Sequence, residues 1–208
     1  MISAQEALQR LREGNQRFVS GVRSVDAMLS HTRRDALADG QMPFAIILGC
    51  SDSRVPAEIV FDQGLGDLFV IRIAGNIVAP SQIGSVEFCA EQYGSRLVVV
   101  LGHSNCGAIC ATIEDMKSQS KQQSHHISSI VDRIKPVIEP FRTTNLWNRQ
   151  TDLIHESVRA NVRASANQLR HGSEILEDLT AKEGLLIVGA EYSLETGVVE
   201  FFDGLPAD

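Results

Sequence analysis

A chain of 208 residues with 43% hydrophobic and 22% charged content has room for one sizeable core and the balance of a soluble globular protein. Its net charge of −7, with no basic run longer than Arg33-Arg34, argues against nucleic-acid binding. No apolar run nears the roughly 20 residues of a membrane span, and the charged start MISAQEALQRLREGNQRF lacks a signal-like apolar centre, so a cytoplasmic protein with no membrane partner is expected.

Ser3–Val19 carries Ala4, Leu8, Leu11, Phe18 and Val19 near helical spacing, and Ser3 with Glu6 makes a capping box. Val22–Gly40 is weakly patterned and reads as a loop with a short helix. Four apolar runs follow, Phe44–Gly49, Leu68–Ile73, Leu97–Gly102 and Leu185–Ala190. Each is nearly continuous, as in strands buried on both faces of a parallel sheet. Val198–Phe202 follows the fourth after the turn Glu195-Thr196-Gly197, which predicts an antiparallel edge strand. Helical patterns occupy Gln82–Tyr93, Cys106–Lys117, Ser124–Ile138 and Asn148–Arg170, and Ser173 caps a further short helix through Leu179. Ser118–His126 reads as a polar loop. The fold class is therefore α/β: three layers, a mixed five-stranded sheet with a mostly parallel core and an antiparallel C-terminal edge strand, and helices on both faces. Residues 1–208 read as one domain, with 1–40 as an N-terminal helical arm.

In open α/β sheets ligands bind beyond the carboxyl ends of the strands. The first strand ends in Cys50-Ser51-Asp52-Ser53-Arg54 and the third in His103-Ser104-Asn105-Cys106-Gly107. If these strands are parallel neighbours, Cys50, Asp52, His103 and Cys106 converge, a full tetrahedral set for zinc. Cys106 gains thiolate character from its place at a helix N-terminus. Four unevenly spaced cysteines make no disulfide framework, and Cys89 and Cys110 read as helix-core thiols. Arg54 stands two residues from Asp52, where its guanidinium can grip the carboxylate bidentately. The pair offers a switch: with Asp52 on the metal the site is closed, and with Asp52 on Arg54 a position is free for water, whose pKa zinc lowers. Two thiolates donate more charge than imidazoles, which places the working range on the alkaline side.

These residues resemble the β-class carbonic anhydrases. The resemblance rests on CSDSR (Cys50–Arg54), GHSNCGA (Gly102–Ala108), DLFVIRIAGN (Asp67–Asn76) and GSVEF (Gly84–Phe88), and it extends loosely over nearly the whole chain. It implies reversible hydration of carbon dioxide to bicarbonate by zinc-bound hydroxide, with one Zn2+ per subunit on Cys50, His103 and Cys106. Asp52 is implied as fourth ligand in the closed form and as partner of Arg54 in the open one. The resemblance further implies that Gln41 donates to the substrate oxygen from a partner subunit and that Gly107 supplies a backbone N–H. Phe69, Ala74 and Phe88 are the implied pocket residues, and a homodimer or a dimer of dimers the implied assembly. The family's arginine-asparagine pair is Arg72-Ile73 here, and Phe88 stands where many members carry tyrosine. Some members hold an inhibitory bicarbonate with a tryptophan before the first cysteine and an arginine after the second strand. Arg72 is present, but Ile47 stands at the first position, which favours the open Asp52–Arg54 form at neutral pH. Two other functions compatible with the same ligands are hydrolysis of carbon disulfide or carbonyl sulfide and a zinc-stabilised bicarbonate-sensing module.

Overall fold

A computed structural model of the chain describes residues 2–24, 34–35, 37–118 and 124–206. Most of the 22–40 loop and the centre of the 118–126 loop lie outside the described residues. The first helix, α1 (Ala4–Val19), begins at the expected capping box: Ser3 Oγ accepts from the Glu6 N–H at 3.2 Å, and the Glu6 carboxylate accepts from the Ser3 N–H at 2.8 Å. The strands are β1 (Ala45–Gly49), β2 (Leu68–Arg72), β3 (Leu97–His103), β4 (Leu186–Tyr192) and β5 (Val199–Asp203). The later helices are α2 (Ala57–Val60), α3 (Pro80–Gln92), α4 (Gly107–Ser118), α5 (His125–Ile138), α6 (Gln150–His171) and α7 (Glu174–Lys182). Strand order is β2-β1-β3-β4-β5, parallel except for the antiparallel β4–β5 pair, which is the expected mixed sheet. The fourth strand runs to Tyr192, two residues past the end of its apolar run, because Glu191 and Tyr192 pair with Gly102 and His103.

Strand side chains alternate between two buried faces, which is why the runs are continuous. Ile47, Val99, Leu101 and Val188 face α1 and α2, where Leu8, Leu11 and Phe61 pack on them. Ile46, Leu48, Val98, Val100 and Ile187 face the other way, against Val86 of α3, Val162 and Leu169 of α6 and Leu176 of α7. A third apolar cluster sits at the carboxyl end of the sheet, where Ile109, Ile113, Ile134, Ile138 and Val158 enclose the sulfurs of Cys50 and Cys106. No helix of the described residues is long and apolar enough to cross a membrane.

The N-terminal helix folds back on its own sheet. Leu11 is fully buried, and Asn15 Nδ2 donates to the carbonyls of Val60 (3.1 Å) and Gly197 (2.9 Å) while its Oδ1 accepts from the Val199 N–H at 2.8 Å. Arg17 Nε donates to the buried Asp62 carboxylate at 2.6 Å. The edge strand β5 thus receives an amide partner from a helix side chain, a form of edge protection.

Candidate metal centre

Because β1 and β3 are parallel neighbours, with Gly49 opposite Leu101, their last residues deliver the two halves of the site to the same side of the sheet. Cys50, His103 and Cys106 are all buried, and one donor atom from each lies within 4.8 Å of the others. Asn105, in the left-handed region at φ 53°, turns the chain from β3 into α4 and sets Cys106 just before the first helical residue. Cys110 lies one turn further on, half-buried and outside the cluster, and Cys89 is a buried thiol, pushed up to about 11 by burial.

Several observations fit this trio to a metal. The His103 ring is buried, and its Nδ1 lies 3.0 Å from the Ser104 carbonyl, an acceptor only, so Nδ1 carries the hydrogen and Nε2 the lone pair of the neutral ring. Among the described residues Nε2 has no hydrogen-bond partner, an arrangement that costs about 1–3 kcal/mol for a buried polar atom unless something binds it. The two sulfurs are 4.0 Å apart; Zn–S bonds of about 2.3 Å at a tetrahedral angle require roughly 3.8 Å. The Cys106 sulfur holds the Cys50 thiol well below its ordinary range, while the same contact and burial push Cys106 up; a metal binds such a pair by displacing its protons. Gly75 N–H points at Cys50 Sγ at 3.4 Å and adds to the thiolate character of that sulfur.

Asp52 stands beside the trio, turned to Arg54. Its carboxylate accepts from Arg54 Nε at 2.9 Å, from Nη2 at 2.7 Å and from the Arg54 backbone N–H at 3.0 Å. These bonds hold the Asp52 carboxyl well below the usual carboxylate range, so it is ionised and accepts only. Its Oδ2 is 3.9 Å from His103 Nε2, a short swing from the donor set.

The other expected site residues divide into two groups. Ala74 opens the turn Ala74–Asn76 next to Cys50, and Gly107 is the first residue of α4, where a Cβ would meet no other described residue within 4 Å. Gln41, Phe69 and Phe88 lie elsewhere. Gln41 precedes β1 and donates to the Tyr93 hydroxyl at 3.2 Å, and Tyr93 packs 6.3 Å from Phe69 and 5.7 Å from Phe88. Phe69 is paired with Ile46, four residues before Cys50, about 13 Å away at 3.3 Å per residue. The amide and the aromatic rings therefore form a separate patch toward the amino end of the strands, with Met42 78% and Phe88 50% exposed.

Sequence reasoning missed the supports of the donor set. Gly75 (φ 69°) has no room for a side chain: a Cβ there would lie 2.9 Å from Ile134 and 3.0 Å from Ala108. Its carbonyl accepts from Asn161 Nδ2 at 2.8 Å, and the Asn76 carbonyl accepts from Ser165 Oγ at 3.0 Å. The signal was the four-residue spacing of Ser157, Asn161 and Ser165, three buried polar residues on the inner stripe of α6.

Comparison with known proteins places the chain in a family. A family model described as carbonic anhydrase matches residues 45–199. Carbonic anhydrase 2 of Mycobacterium tuberculosis is 37% identical over 191 residues, 92% of this chain and 89% of that one. The structure of the β-carbonic anhydrase CcaA aligns with a TM-score of 0.72 at 26% identity, covering 97% and 93% of the two chains. That of the β-carbonic anhydrase CafA of Aspergillus fumigatus aligns with a TM-score of 0.73 at 22% identity over 87% and 86%.

Proposed function

The chain belongs to the β-class carbonic anhydrases, a family of enzymes, and from that premise we propose that it hydrates carbon dioxide reversibly to bicarbonate with one zinc ion per subunit. The observation that carries the zinc is the buried, unpartnered His103 Nε2 facing two sulfurs. Cys50, His103 and Cys106 would hold the ion. When bound, zinc supplies Lewis acidity that makes a water molecule acidic enough to lose a proton near neutral pH.

The chain's own residues do the rest. Asp52, ionised and held on Arg54, accepts the hydrogen of the attacking oxygen and aims its lone pair at the carbon. Swung inward it would take the fourth metal position, so the Asp52–Arg54 pair acts as a gate. The Gly107 N–H, one of the donors that a helix start leaves without an intrahelical partner, faces negative charge developing on the substrate. Ala74 contributes an apolar wall. Gln41, Phe69 and Phe88 cannot reach the donor set of their own chain, and in our reading they complete the site of a second copy, with Gln41 donating to a substrate oxygen. The exposed Met42 and Phe88 suit such a contact, and a homodimer or dimer of dimers follows from it. The relatives compared are carbonic anhydrases, which gives no support to the carbon disulfide or sensing alternatives.

Stopped-flow hydration of carbon dioxide from pH ~6.5 to ~9, with zinc measured in the same sample, should show activity that rises toward alkaline pH. Full zinc occupancy without hydration at any pH overturns the assignment. The shared site predicts complementation. Gln41→Ala and His103→Ala chains, each weakly active or inactive alone, should regain about a quarter of wild-type activity when refolded together, because mixed dimers hold one site with both groups intact. No gain on mixing would place Gln41 outside the partner's site.

A further inference from the structure

We propose that Arg72 is a positioning residue that holds the Cys50–Asp52 segment so that the Asp52 carboxylate stays on Arg54, keeping the fourth metal position open to an exchangeable ligand. The proposal rests on the zinc reading above and names what biases its gate.

Arg72 is the last residue of β2, paired with Gly49, and so lies beside the strand end that carries Cys50. Its Nε donates to the Cys50 carbonyl at 3.0 Å and its Nη2 to the Asp52 carbonyl at 2.6 Å. One planar fork thus spans two carbonyls of the gate segment, which the rigid geometry of a guanidinium allows and a single ammonium does not. The flanks of the segment are tied as well: Ile73 N–H donates to the Gly49 carbonyl and Val55 N–H to the Asp52 carbonyl, both at 3.1 Å.

Two arginines therefore divide one aspartate, Arg54 taking its carboxylate and Arg72 its backbone. The Arg54 side chain is 56% exposed, so water competes for its grip. A divalent cation attracts the same carboxylate, which is already 3.9 Å from a donor nitrogen. With so small a distance to travel, the orientation of the Asp52 backbone decides which partner the carboxylate takes. Arg72 fixes that orientation at two carbonyls. Released from it, the segment can turn the carboxylate inward, and the site closes.

The test uses the full chain loaded with cobalt(II), with thiocyanate binding read from the visible absorption of the metal at one pH. Thiocyanate needs the fourth position, so its apparent affinity is reduced by the fraction of sites that Asp52 closes. Arg72→Gln should bind thiocyanate about tenfold more weakly than wild type, and Arg72→Lys, which keeps one of the two bonds, about threefold more weakly. In an Asp52→Ala background, adding Arg72→Gln should change nothing beyond about twofold, because Arg72 acts through Asp52. Unchanged affinity in Arg72→Lys and Arg72→Gln overturns the proposal. So does an equal loss with and without Asp52, which would make Arg72 a direct contact of the anion. Cobalt stoichiometry separates the two levels: a wild-type chain that takes up no cobalt overturns the metal reading, whereas full uptake with altered affinity addresses Arg72 alone. If Arg72→Gln fails to fold, Arg72→Lys, with its smaller expected shift, decides the matter.

Discussion

Replacing His103 with alanine should remove metal and activity together while leaving the metal-free fold about as stable as before. The ring supplies the only nitrogen of the buried trio Cys50, His103 and Cys106, and two sulfurs alone make half a tetrahedral site. Loss of an outer-shell partner already costs 10–100-fold in metal affinity, so loss of a ligand should weaken zinc binding by well over ~100-fold. Carbon dioxide hydration should fall by ~1000-fold or more, a drop of about 4 kcal/mol in transition-state stabilisation. The stability expectation follows from the unpartnered Nε2. Truncation leaves a cavity but also removes a buried polar atom that costs about 1–3 kcal/mol in the absence of metal, and the two effects oppose each other. Chelator competition and thermal melts with and without zinc check both parts. Wild type should gain melting temperature on adding zinc by mass action, and His103→Ala should gain none. A variant that still melts higher with zinc would place the metal elsewhere.

The second large effect lies far from the site, where α1 meets the body of the protein. Gly14 has no space for a side chain: a Cβ there would stand 1.8 Å from the Phe61 carbonyl oxygen. Gly14→Ala must lift the helix, and the lifted helix breaks the three hydrogen bonds of the adjacent Asn15 and exposes Leu8 and Leu11. Overpacking of this kind costs about 1–3 kcal/mol, and the lost polar contacts add to it, for a total near ~3–5 kcal/mol. Asn15→Ala avoids the clash but leaves the Val199 N–H and the Val60 and Gly197 carbonyls without their amide, for about 2–4 kcal/mol. Urea unfolding measures both. Unfolding free energies within ~0.5 kcal/mol of wild type would show that α1 does not dock on its own sheet in solution.

The docked helix marks a boundary of what sequence patterns convey. The stripe of Leu8 and Leu11 predicts an apolar face, and a capping box predicts where the helix starts, because both depend on residues one turn apart. The same stripe would serve equally on the sheet of another copy. Asn15 and Gly14 resolve it, through Val60, Phe61, Gly197 and Val199, at separations from 45 to 184 residues.

The site divides in the same way. CSDSR and GHSNCGA were legible because each half is local and its chemistry is carried by residue type: two thiols, an imidazole, and a carboxylate two residues from a guanidinium. The continuous runs around them made parallel strands, and parallel strands bring their carboxyl ends to one side. Other features depended on the stacking of elements. Arg72 in sequence is the arginine that the resemblance places after the second strand; only the β1–β2 register sets its fork on the carbonyls of Cys50 and Asp52. Asn161 is a polar residue among apolar ones until α6 crosses the turn at Gly75. Gln41 precedes the first strand in sequence, and only the structure sets it beside Tyr93, a whole strand away from Cys50. Periodicity and residue chemistry act through covalent spacing and so can be read from the chain. Which groups meet across elements depends on register and packing, where a shift of one residue redirects every side chain, and that is settled only in three dimensions.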